Sequence, residues 1–284
     1  FSFLKKVIMT PTNAKTEVNK EIFKLDSSLK PSEVAGCPPD YFSQNGQLWG
    51  NPVYDWKKLK SLKFSWWKQR LKQSFELFDI VRLDHFRGFE SFYSIKAGSK
   101  TAKKGLWKKG GGASFFDSLP SDYKDKIIAE NLGFLTDDVD ALLKHTAYAG
   151  MKVLQFSFDS RDDNGADLPD KIEKNNVVYT GTHDNDTILG WSNTADKADV
   201  GKAMRYLGAK SNDDLVNKMM LCAMKTKANT CILTMQDLLH LNSDSRMNTP
   251  STITGNWQYR MKKDDITPQT SSKLLTMTEQ SERY

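Results

Sequence analysis

Cysteine is scarce in this chain: Cys37, Cys222 and Cys231 are an odd count of three, with no C-x-x-C pair. That excludes a disulfide framework or a zinc ribbon and points to a reducing cytoplasm. The four histidines are scattered, so no metal cluster is expected. No stretch approaches ~18 uncharged apolar residues, so a membrane-spanning helix is not expected either. The opening residues, FSFLKKVIMTPTNAKTE, are interrupted by Lys5 and Lys6 and lack the cleavage site of a secretory signal. An initiator Met is missing as well, which leads us to expect that the chain begins inside a longer protein. Solenoid-type repeats are absent, and the one low-complexity run is Gly110-Gly111-Gly112.

With 38% hydrophobic and 27% charged residues, the sequence has the composition of a folded globular protein. The net charge of +6 raises the question of nucleic acid. The lysines, however, are spread over 57–63, 100–109 and 262–263, with acids interleaved elsewhere, and no nucleic-acid motif accompanies them. Neither nucleic acid nor a membrane is expected as a partner.

Apolar residues at Trp67, Leu71, Phe75 and Phe78 are spaced as one stripe of a helix over 65–78. Strands are expected at 78–83, 126–129, 151–156, 177–180 and 231–235, with helical patterns at 136–145 and 211–227 between them. At most one strand precedes these, near Val7-Ile8-Met9. Residues 36–60, rich in Gly, Pro, Asn and aromatics, read as an ordered loop. Alternating strand and helix is the pattern of a parallel α/β fold. Too few strands are present for a closed barrel. The expected fold is α/β: an incomplete (β/α)8 barrel, with about strands 4–8 present and an inserted loop-rich subdomain.

In such folds the reacting side chains sit where strands end. The first strong strand ends in Arg82-Leu83-Asp84-His85, and alternation places Arg82 and Asp84 on one face. A cation there fixes a carboxylate's orientation and favours its ionised form, as a nucleophile requires. The second ends in Glu130, at the mouth of the apolar run Ile127-Ile128-Ala129; partial burial there raises a carboxyl pKa and suits a general acid. A third strand ends in Thr182-His183-Asp184. Carboxylates in unlike settings are what retaining glycoside chemistry uses. A lone acid after a strand also reads as a helix cap, and these positions do not name a substrate.

Longer motifs do. Residues 35–43 (AGCPPDYFS) and 46–52 (GQLWGNP), then 81–89 (VRLDHFRGF), 126–133 (KIIAENLG), 150–158 (GMKVLQFSF) and 177–191 (VVYTGTHDNDTILGW), resemble amylomaltases, the 4-alpha-glucanotransferases of glycoside hydrolase family 77, in family order. Gln236-Asp237, 246–250 (RMNTP) and Gly255-Asn256-Trp257 extend the likeness to roughly residues 21–265. The resemblance implies Asp84 as nucleophile, Glu130 as acid/base and Asp184 as transition-state stabiliser, expected to converge on one sugar ring. Arg82 and His183 would brace the nucleophile and the donor sugar, with His85 beside them. Asp40, Tyr41, Phe42, Trp49 and Asn51 would line the acceptor side on loop 36–56. It further implies maltodextrin or starch-derived α-1,4-glucan substrates, no cofactor, and transfer through a covalent glucosyl-Asp intermediate. Residues 1–20 diverge from the family, 21–265 would be the C-terminal part of the barrel, and 266–284 a tail or helix.

Two departures stand out. Asn131 follows Glu130 where the family usually has Asp, which is expected to lower the Glu130 pKa and shift the pH optimum toward acid. The family's first barrel strands also have no counterpart, so the alternative reading is an inactive fragment that only binds glucan. An alpha-amylase-type hydrolase is the other alternative, and the PPDYFS and GQLWGNP motifs speak against it.

Overall fold

The computed structural model describes residues 5–7 (as backbone), 20–39, 43–133, 135–161, 165, 167–250 and 252–283. Asp40, Tyr41 and Phe42 lie outside the described residues, as do Ile8 and Met9 of the expected first strand. The chain forms two compact units, residues 1–150 and 151–284.

The first unit runs β1 (Lys5–Val7), β2 (Glu33–Cys37), β3 (Gln47–Pro52), α1 (Trp56–Ser61), α2 (Ser65–Leu77), β4 (Val81–Leu83), α3 (Arg87–Glu90), β5 (Ser91–Lys96), β6 (Gly105–Lys109), α4 (Gly112–Phe116), β7 (Ile127–Ala129) and α5 (Asp137–Thr146). Strands β1, β4 and β7 form a parallel sheet in that order, with Leu83 opposite Ala129. Val81 and Leu83 are fully buried while Arg82 faces the other way, so one side of β4 anchors the sheet and the other is left for chemistry. Strand β4 is shorter than its apolar run because Phe78 ends α2, its N–H bonded to the Ser74 carbonyl.

Residues 36–60 are not a loop. They contain the end of β2, all of β3 and most of α1, and strands β3-β2-β5-β6 form a four-stranded antiparallel sheet in that order. Of the glycines that suggested a loop, Gly36 serves close pairing: a Cβ there would run into the Gln47 carbonyl and the Ile95 side chain. Trp67 is the centre of the unit's core, its ring 5.3 Å from Phe89 and 5.6 Å from Tyr54, and Phe89 stacks on Phe115 at 5.2 Å. Burying rings of 150–250 Å² each makes this cluster the main anchor for the turn that follows β4.

The second unit contains β8 (Gly150–Val153), α6 (Leu154–Ser157), β9 (Asn176–Tyr179), α7 (Ile188–Thr194), α8 (Lys197–Leu207), α9 (Asn212–Lys225), β10 (Thr230–Ile232), α10 (Met235–Leu238) and α11 (Pro268–Gln280). Its sheet has the order β10-β9-β8, with β10 parallel to β9. Expected strands 151–156 and 231–235 both stop early, because Leu154 opens α6 and Thr234 caps α10 by accepting from the Asp237 N–H. Helix α9 starts at a Ser211 cap and buries Leu215, Val216, Met219, Met220 and Ala223. Its stripe packs with Val178 of β9 and Leu154 of α6 in one core cluster. No described helix is long and apolar enough to cross a membrane.

Candidate active site

In the first unit the turn after β4 is laced to the end of β7. The Glu130 N–H donates to the Leu83 carbonyl, and the Phe86 N–H donates to the Glu130 carbonyl, each at 2.9 Å. His85 adopts the left-handed conformation, φ 49°, which is unusual for a residue with a side chain. That conformation accompanies a specific contact: the His85 N–H donates to Glu130 Oε2 at 2.6 Å, while the Leu132 N–H donates to Oε1 at 2.8 Å. Arg82 donates to Asp84 through its guanidinium, the pairing that strand alternation predicts. Sequence positions 82, 84, 85 and 130 are thus brought together by backbone hydrogen bonds.

The electrostatics separate the two carboxylates. Burial, reinforced by the negative charge of Asp84, pushes Glu130 up to about 7, against the opposing pull of Arg82 and the two backbone donors. Desolvation pushes His85 down to about 4 despite Asp84, so its imidazole is neutral near pH 7. The His85 ring meets Trp49 edge-on at 5.0 Å, and Trp49 Nε1 donates to Gln47 Oε1. Trp49 remains 37% exposed. Asn51 lies two residues further along β3. Trp107 carries the buried Arg87 guanidinium over its ring at 3.9 Å, which accounts for it structurally.

The raised Glu130 pKa has a consequence for stability. The folded chain keeps this proton up to about pH 7, whereas an unfolded chain releases it near its ordinary value of 4.5. The fold therefore binds the extra proton, and stability falls as pH rises from about 4.5 to 7. Between pH 4 and pH 8 the native chain should lose on the order of 2–3 kcal/mol relative to E130Q, measured by urea unfolding at both values. Equal pH dependence in the two proteins would contradict the shift.

In the second unit, Asp184 follows β9 in a dense polar turn. Asn248 Nδ2 donates to Asp184 Oδ1 at 2.7 Å, Arg246 donates to the Asp184 carbonyl at 2.7 Å, and His183 Nε2 lies 3.0 Å from Asp184 Oδ2. Trp257 stacks on the His183 ring at 5.3 Å. Asn248, Arg246 and Trp257 lie in motifs visible in the sequence, RMNTP and GNW, but nothing local assigns them to the His183–Asp184 turn. Asp237, 2% exposed, ties both ends of the turn: Oδ2 accepts from the Thr180 hydroxyl at 2.6 Å and Oδ1 from the Ile188 N–H at 2.7 Å. Gly190 lets α7 approach, since a Cβ there would collide with Ser243 and Asp186. Asp237→Ala strands two buried donors and should lower unfolding stability by about 2–4 kcal/mol, with Asp237→Asn losing less than half as much. Unfolding in urea measures this, and unchanged stability in the alanine variant would refute the staple. The described residues include no cluster of His, Cys, Asp and Glu able to hold a metal.

A parallel α/β scaffold bearing acids at its strand ends defines a broad class, and comparison narrows it. The chain superposes with TM-score 0.93 on the amylomaltase from Streptococcus agalactiae in complex with acarbose, at 35% identity over 100% of this chain and 58% of that one. It is 46% identical over 262 residues to a 4-alpha-glucanotransferase of Streptococcus pneumoniae, and 47% identical over 244 residues to a chloroplastic/amyloplastic one of Arabidopsis thaliana. These alignments cover 92% and 86% of this chain but 52% and 42% of the relatives, so the chain spans about half the length of the curated relatives that it matches. Residues 7–267 match the family described as 4-alpha-glucanotransferase, glycoside hydrolase family 77, and the chain belongs to that family.

Proposed function

We propose that this chain carries the reacting carboxylates of a 4-alpha-glucanotransferase that moves α-1,4-glucan segments between maltodextrins. The observation that carries the reading is the pairing of Asp84, oriented by Arg82, with a Glu130 whose pKa is raised to about 7. One carboxylate is presented for attack and the other retains a proton to give, which is the division of labour in retaining glycoside chemistry. The solved amylomaltase that it resembles is bound to acarbose, a sugar ligand that supports the same substrate class here.

The proposed reaction is a double displacement. An Asp84 carboxylate oxygen bonds to the anomeric carbon of the donor as the glycosidic C–O bond breaks, and Glu130 gives its proton to the departing oxygen. Glu130, now ionised, takes the proton from the 4-hydroxyl of an acceptor glucan. That oxygen then displaces Asp84, so one glycosidic bond replaces another. Proton and electron pair balance within the cycle, and no cofactor is required. Trp49 and Asn51, with Asp40, Tyr41 and Phe42, are assigned to the acceptor side; Arg82 and His183 brace the nucleophile and the donor sugar, with His85 beside them. Asp184 is assigned to stabilising developing positive charge. Asp184 is held for that task by Asn248, Arg246 and His183.

The parallel strands, together with the family's architecture, support the incomplete (β/α)8 reading over residues 21–265, with segment 36–56, which carries β3, at the acceptor side. The cytoplasmic assignment rests on cysteine usage alone, and the Arabidopsis relative's name places that protein in plastids. Product analysis on maltotriose tests the function. Transfer gives glucose plus longer maltodextrins. Glucose and maltose alone indicate an amylase-type hydrolase, and binding without turnover indicates a fragment that only holds glucan.

A further inference from the structure

Helix α2 presents Lys68 and Lys72 one turn apart on a single face, and both line an open hollow of about 430 Å³ whose other side is formed by Ser118, Leu119, Pro120 and Tyr123. That volume lies within the ~300–1,000 Å³ of small-molecule sites. None of these residues belongs to the Asp84–Glu130 site. Like charges at i,i+4 repel each other across a helix face. On the facing segment Asp122 pairs with Lys126 at 3.3 Å and Asp117 with His145 at 2.6 Å, while on α2 itself Glu76 follows one turn beyond Lys72. Among the described residues, neither Lys68 nor Lys72 has a carboxylate partner. Sequence reading treats the chain's positive charge as spread out, yet here the fold focuses two cations on one hollow.

The opposite wall has a different character. Leu119 and Pro120 are apolar, and the Tyr123 ring is held firmly against Phe75, with centroids 4.4 Å apart. Ser118 Oγ donates to the Phe115 carbonyl at 2.7 Å, which leaves its lone pairs to accept from a ligand hydroxyl. An apolar, aromatic wall facing two cations matches a ligand with one C–H-rich face and one anionic end. We propose that this cavity binds a phosphorylated glucose unit. The phosphate lies between Lys68 and Lys72, the pyranose face lies on Tyr123, and a sugar hydroxyl donates to Ser118. The sugar half of the assignment rests on the glucan reading above, whereas the anionic half stands on the two lysines. The unit is either a free glucose phosphate or a phosphate ester borne on a glucan chain.

Calorimetric titration of the chain with glucose 6-phosphate, inorganic phosphate, maltotriose and a 6-phosphorylated maltodextrin tests this. Glucose 6-phosphate should bind more tightly than inorganic phosphate, and the K68Q/K72Q double variant should weaken it by about tenfold or more. About 0.5 M salt should weaken it in the native chain too. Tyr123→Ala should weaken glucose 6-phosphate but not inorganic phosphate. Tighter binding of the phosphorylated maltodextrin assigns the site to a glucan-borne ester, and the reverse order assigns it to the free sugar phosphate. Equal affinity of native chain and double variant for glucose 6-phosphate overturns the site, and inorganic phosphate binding as tightly as the sugar phosphate overturns the sugar. Loss of maltotriose binding in every form counts against the glucan reading and leaves the anion site standing.

Discussion

Asp84→Asn lowers glucosyl transfer from maltotriose by about 10⁴-fold or more, the scale seen when a covalent nucleophile is removed. The substitution is nearly isosteric, and its side-chain oxygen still accepts from Arg82, which holds Asp84 in the native chain. Stability should change by less than about 1 kcal/mol, within the usual range for a substitution that leaves no buried group unpaired. The asymmetry between a large kinetic loss and a small structural one distinguishes a reacting group from a packing residue. Glucose release and urea unfolding on the same preparation measure the two. A rate within tenfold of native would remove Asp84 from the chemistry.

Glu130→Gln should reduce transfer by about 10²–10⁴-fold, the usual contribution of a positioned acid/base. A donor whose leaving group departs without a proton, such as a nitrophenyl maltoside, should regain much of that loss in its first half-reaction. Asp84→Asn should gain nothing from the same donor, because a better leaving group does not replace the missing nucleophile. The pH profile follows from the cited shift. Glu130 donates only when protonated, and with its pKa near 7 the kcat/KM of the native chain should fall as pH rises through about 7. That limb should vanish in E130Q. The neighbouring Asn131 is buried. A carboxylate placed there by Asn131→Asp adds like charge and should move the limb to higher pH. An unmoved limb would show that Asn131 does not set the acid strength.

Much of the first unit's candidate site was legible because its signals are local. Val81 and Leu83 bury while Arg82 turns away, so simple alternation placed Arg82 beside Asp84. The apolar run Ile127-Ile128-Ala129 likewise announced Glu130 at a strand end. The antiparallel sheet was not legible. Ser91 to Ile95 of β5 are all buried, which leaves no period-two pattern, and β2 pairs with them across more than fifty residues of chain. At the sheet's edges Leu48, Trp49, Leu106 and Trp107 are exposed, so side chains that usually advertise a core lie outside it.

The fine structure of the site was hidden for a related reason. The His85 N–H reaches Glu130 through a positive φ, a property of the folded backbone that no side-chain pattern encodes. Asn248 and Arg246 reach Asp184 across more than sixty positions. Motif resemblance marked these residues without giving them a task, and only tertiary contact does so.

The central claim is that Asp84 becomes covalently glycosylated while Glu130 shuttles the proton. Its most direct test is mass spectrometry of peptides after incubation with a fluorinated maltosyl fluoride, whose good leaving group speeds the first step and whose ring fluorine slows the second. The expected result is a glycosyl adduct on the peptide containing Asp84, released on adding maltose and missing from D84N. An adduct on Glu130, or turnover that inverts the anomeric configuration with no adduct at all, would contradict it.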